Sequence, residues 1–87
     1  VPAGERPWFG ADGCETVGTE VGGADVSVWL DYLRWTLAGK AGQKMGSATN
    51  YDMTDAAGVI NVQRMSGLTG NGIVDDVTWE TVDVLAD

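Results

Sequence analysis

Carboxylates are the most abundant groups in this sequence that could do chemistry. The 87 residues hold 13 Asp+Glu against 5 Lys+Arg, a formal net charge of −8, with no His and one cysteine, Cys14. Two carboxylates can hydrolyse a glycoside when they stand about 5–9.5 Å apart across a cleft and one is kept protonated. Asp25, Asp52 and Asp75, however, stand where helices begin and read as N-caps. Asp31, Glu80 and Asp83 fall on polar helix faces, where a solvated charge is the default. Calcium would need alternating oxygen ligands and a distal Glu, and Asp52–Asp55 and Asp75–Asp76 lack that pattern. Without His, Ser-His and Cys-His mechanisms have no base. A lone Cys14 allows neither an internal disulfide nor a zinc site of the usual kinds, and no neighbour in the sequence would activate it. The expectation is therefore a protein that is not an enzyme, with no catalytic residue, no metal and no cofactor.

The charge also bounds the partners. A surface this acidic lacks the basic footprint that nucleic acid requires and the polybasic patch that anionic lipid attracts. No apolar run approaches the roughly 18–20 residues of a membrane span. Neither nucleic acid nor membrane is expected. The chain opens at Val1, without Met or a signal-peptide pattern, and reads as a processed protein or an excised module.

With 44% hydrophobic and 21% charged residues the chain is too apolar for disorder. A domain of this size buries about 60–65% of its unfolded surface, enough for one modest core. The sequence divides into an irregular Gly-rich N-terminal arm, residues 1–21, and a compact all-α three-helix bundle, residues 22–87. Residues 1–22 hold five glycines and both prolines, with a short strand expected around Thr16–Val21. Its Trp8-Phe9 pair either caps the core, the main expectation, or offers a contact to a partner.

Helix one is expected from Asp25 to Ala38, on the spacing of Val26, Trp29, Leu30, Leu33 and Leu37, with Gly39 as its left-handed stop. A second stripe of Val28, Tyr32 and Trp35 implies a helix sandwiched on two sides, or one side left for a ligand. A polar linker follows over residues 40–50. Helix two is expected from Met53 to Ser66 with Ala56, Val59, Ile60, Val62 and Met65 inward; Gly58 costs it about 1 kcal/mol relative to Ala and permits close helix packing. A Gly-rich connection over 68–74 leads to helix three, Asp76 to Ala86, with Val77, Trp79, Val82 and Leu85 inward. Helices two and three start alike. An apolar residue and an Asp (Tyr51-Asp52, Val74-Asp75) are followed by Asp55 or Thr78 at the third helical position, a partial capping box.

The run Val62-Gln63-x-x-Ser66-Gly67-Leu68-x-x-Asn71-Gly72-x-Val74-Asp75-x-x-Thr78-Trp79-x-x-Val82 resembles the second half of the small three-helix peptidoglycan-binding (PGBD-like) domain. That family shows Phe-Gln, Asn-Gly-Leu, Asp-Gly-x-Val-Gly, Thr-Trp and Leu at this spacing. Gly23-x-x-Val26-x-x-Trp29-Leu30-x-x-Leu33 and Tyr51-Asp52-x-x-Asp55-x-x-Gly58-Val59 resemble its first half more loosely. The resemblance covers about residues 22–85. Asp52 and Asp75 stand where the family has glycine, Leu30 where it has Gln, and the linker lacks its Asp-Gly turn.

The resemblance implies non-catalytic binding of cell-wall peptidoglycan, through its glycan or its stem peptide. Such a module targets a fused or partner hydrolase, as in lysins and amidases, and implies an extracellular or cell-wall location. The candidate ligand-binding residues are Tyr32, Trp35, Asn50, Tyr51 and Asn71. Tyr51 suits closure of the helix-two start as well as a ligand, and the two amides suit turns as well as sugars. Trp79 is expected in the core, Gln63 as a tie for a loop backbone, and Arg64 as a solvated charge or a partner for a stem-peptide carboxylate. The alternative is a structural or interaction module of a phage particle, tail or capsid-associated, located in the virion. It would keep the scaffold without the ligand and contact other phage structural proteins. The second aromatic stripe, the altered first half and the Trp8-Phe9 arm favour it.

Overall fold

A computed structural model describes residues 2, 6–10, 20–21 and 24–87, with backbone alone for 20–21 and 24–25. Its three helices are α1 (Val26–Ala41), α2 (Met53–Met65) and α3 (Asp76–Ala86). A two-residue antiparallel ladder, β1 (Glu20–Val21) on β2 (Ala24–Asp25), leads directly into α1. The architecture is an all-α three-helix bundle. Cys14 and positions 16–19 of the expected strand lie outside the described residues, as does the side chain of Asp25.

α2 and α3 begin as the sequence predicts. Asp52 accepts the Asp55 N–H at 2.9 Å and Asp55 accepts the Asp52 N–H at 3.0 Å, a complete capping box. Asp75 accepts the Thr78 N–H at 3.1 Å, but the Thr78 hydroxyl turns to Gln63 and Ile73, so the box there stays half made. α2 ends at Gly67, where the Leu68 N–H reaches the Gln63 carbonyl and the Gly67 N–H that of Arg64. α1 runs past its expected end. Gly39 is helical, and the left-handed stop falls at Gly42, φ +66°, with the Gln43 N–H returning to the Leu37 carbonyl. A helical glycine weakens a helix without stopping it.

The core joins Val26, Trp29, Leu30, Leu33 and Leu37 of α1, Ala56, Val59 and Val62 of α2, and Trp79 and Val82 of α3. Connecting segments add Phe9, Tyr51 and Val74. Phe9 stacks on Tyr51 at 5.4 Å and tilts against Trp79, which meets Trp29 edge-on at 5.2 Å. Phe9 and Val74 exchange both backbone hydrogen bonds, at 2.9 and 3.3 Å, and the Trp79 indole donates to the Pro7 carbonyl. Gly10, φ +83°, lies where any Cβ would stand 2.6 Å from the Gly72 carbonyl oxygen. Residues 7–10 of the arm thus pack into the bundle.

Several expectations fail for packing reasons. Trp8 is half exposed, its indole donating to Asp76, while only Phe9 enters the core. Met65 and Val77 are exposed. Gly58 receives Met45 of the 42–52 loop rather than a helix, since a Cβ there would stand 2.7 Å from the Met45 sulfur. The second stripe of α1 is not sandwiched: Val28 and Trp35 are exposed, and only Tyr32 is part-buried, against Trp29 and Trp79.

Candidate functional site

α1 and α3 converge to leave a groove with a volume of about 530 Å³. Tyr32 and Trp35 line it from α1, and Asp83, Val84, Ala86 and Asp87 from the end of α3. Helical spacing puts Val28, Tyr32 and Trp35 on the face opposite the Leu30–Leu33–Leu37 stripe, so their position follows from the pattern of α1. Trp35 is 62% exposed. Tyr32 is oriented by its hydroxyl, which donates to Asp83 at 2.7 Å. The other Asp83 oxygen takes the Arg6 guanidinium at 2.5 Å, and Arg6 also lies over the Trp29 and Trp79 rings at 5.2 and 5.8 Å. Burial first, and then the bond to Asp83, push the Tyr32 phenol up to about 12, so it stays protonated near neutral pH. The groove can stack a ligand on the exposed Trp35 ring and attract positive charge.

The five predicted binding residues do not converge. Tyr32 and Trp35 share the groove. Tyr51 is 0% exposed, stacked on Phe9, and its hydroxyl donates to the Gly72 carbonyl at 2.6 Å, so it has no surface to offer a ligand. Asn71 uses its side-chain oxygen on the Ile73 N–H at 2.9 Å and the Gln63 amide at 3.1 Å. The Asn50 carbonyl accepts from Arg34 at 3.1 Å. These three belong to the loops that close the bundle.

Two buried polar groups hold those loops. Gln63 donates to Asn71, to the Ile73 carbonyl and to Thr78, and accepts the Gly72 N–H at 3.0 Å. This is the loop-tying role expected of it. Asp55, fully buried, accepts from Arg34 Nε at 3.0 Å and Nη2 at 2.7 Å, from the Gly46 N–H at 2.8 Å and from the Asp52 N–H. Burial raises its pKa, but the Arg34 bond and the two backbone N–H groups outweigh it and hold the carboxyl below its ordinary value. Arg34 also donates to the Ala48 carbonyl at 2.8 Å.

Sequence reasoning missed Arg34, Val84 and Arg6. Val84 had one available signal, a valine set off the Trp79–Val82 stripe of α3. Arg34 and Arg6 had none, because their partners are 21 and 77 positions away in the chain. Among the described residues no three His, Cys, Asp or Glu side chains are grouped to hold a metal ion. No helix of the described residues is long and apolar enough to cross a membrane. Comparison of the chain with protein families, with curated proteins and with solved structures finds no match.

Proposed function

We propose that this chain is a non-catalytic module that binds bacterial cell-wall peptidoglycan and brings an attached or partner activity to the wall. The observation that carries the reading is the α1–α3 groove, where an indole 62% exposed stands beside an oriented phenol on a rigid helical face. Exposed aromatic rings on rigid elements supply contact area at low entropic cost. A second support is the fit of the resembling motif to this bundle. Gln63, Asn71, Gly72, Val74, Asp75, Thr78 and Trp79 all hold the α2–α3 connection or the core. A shallow binder of this kind acts by raising the effective concentration of whatever it is tethered to. Such a role places it outside the cell or at the wall.

Co-sedimentation with purified insoluble peptidoglycan tests the reading. The wild-type chain should pellet with the wall material and Trp35→Ala should remain in the supernatant. Failure of the wild-type chain to pellet at tens of micromolar counts against it. The exposed Val28 and Val77, which lie outside the groove lining, favour a second reading as an assembly module of a phage particle. That reading expects self-association or partner-dependent stability in light scattering, and a stable monomer counts against it.

A further inference from the structure

The charged side chains that line the α1–α3 groove, Asp83 and Asp87, are both acidic. Asp87 lines it, and Asp31 stands on α1 one turn before Trp35, close enough at this helical spacing to share its face. Both are exposed. No Lys or Arg is among the lining residues. Arg6 and Arg34 are already committed, Arg6 to Asp83 and Arg34 to Asp55. The groove therefore has nothing to pair with a ligand carboxylate. Its lining holds no amide to meet an acetamido group, the Tyr32 hydroxyl already donates to Asp83, and Asn50 and Asn71 lie in the bundle-closing loops.

What the groove does offer is an indole face, apolar walls from Val84 and Ala86, and carboxylates at its margin. An aromatic face attracts a cation through its quadrupole, and an aliphatic stem can lie along apolar surface while its charged end stays wet. Resting on the wall-binding reading, we infer that the groove takes a free primary amine on an aliphatic stem, the side chain of a basic or diamino residue in a wall stem peptide. The methylenes lie against Val84 and Ala86, and the ammonium meets the Trp35 ring with Asp31 and Asp87 beside it. The glycan is then not the part of the wall that is read.

The test compares the full chain on native insoluble peptidoglycan with the same material whose free amines have been acetylated. Acetylation leaves the glycan intact and removes the positive charge. Binding should weaken roughly tenfold or more on acetylated wall, the loss of one cation–π contact with its charge partners. Trp35→Ala should lose a similar factor on native wall and little more on acetylated wall. The paired Asp31→Asn, Asp87→Asn variant should flatten the salt dependence of binding. All three positions are exposed, so far-ultraviolet circular dichroism should match wild type. Equal binding to native and acetylated wall overturns the amine assignment and leaves the wall-binding reading standing. Absence of binding to native wall overturns the wall-binding reading itself.

Discussion

Two side chains of α2 do the same structural task with opposite chemistry. Gln63, near the C-terminal end, ties down the 68–74 connection with a neutral amide that donates to three groups and accepts from one. Asp55, in the first turn, ties down the 42–52 loop with a carboxylate that accepts from Arg34 and two backbone N–H groups. Both are buried, and each has its polar atoms partnered, as burial demands. The neutral tie carries a small desolvation cost and is indifferent to pH. The ionic tie carries a large one, offset only while Arg34 stays in place. A loop held by an amide is thus a constant of the fold, whereas a loop held by a buried carboxylate is conditional on charge.

The largest effect is expected at Asp55. Asp55→Ala strands the half-buried Arg34 and leaves the Gly46 and Asp52 N–H groups without their acceptor, so it should cost about 3 kcal/mol in urea unfolding. A loss under about 1 kcal/mol would make the ionic tie ornamental. Acid sharpens the contrast. The folded Asp55 carboxyl is held below its ordinary value of 3.8, so its stabilisation is present above that pH and drains away as pH falls through the lower folded value. Hydrogen-exchange protection at Gly46 and Asp52 should therefore fall on acidification before protection at Gly72 does. Loss at all three amides together would mean one cooperative unit and no separate ionic tie.

Gln63→Ala leaves the buried Gly72 N–H without its acceptor and should cost about 2 kcal/mol, with no pH dependence of its own. A pH-dependent loss would show that the two loops are coupled. The smallest effect is expected at the half-made box of α3. Asp75→Ala removes one cap and should cost about 1 kcal/mol, seen as a lower melting temperature with the Gln63 network retained in the amide spectrum.

The two ties also differ in how much of each could be read beforehand. The partners of Gln63 lie within 15 positions along the chain, and the Gly-Leu to Thr-Trp spacing fixes where that loop must return. The capping box of Asp52 and Asp55 was visible as well, because it spans three residues. The burial of Asp55 and its pairing with Arg34 were not, because no local period links positions on two different helices. The candidate site divides along the same line. Tyr32 and Trp35 are legible as a second stripe, but the spacing alone leaves open whether that stripe is covered or offered to a ligand. Asn50, Tyr51 and Asn71 are attractive as chemical types, yet a side chain that suits a sugar suits a turn equally well: Tyr51 is buried in the core, Asn71 bonds within its own loop, and the Asn50 carbonyl holds Arg34.

By itself the sequence determined what depends on neighbours along the chain. It set the three helices, the caps at Asp52 and Asp75, the stop at Gly67, the inward positions of Trp29, Trp79 and Val82, and a net charge of −8. Tertiary structure decided which of two apolar faces of α1 would be covered, since the bundle has only enough core to bury one. It also sent Phe9 inward and left Trp8 half exposed, and it made Asp55, while still part of the capping box, a buried ion-pair centre. The physical reason is that hydrogen bonds within a turn are set by spacing, whereas burial is a competition among all segments for one small core.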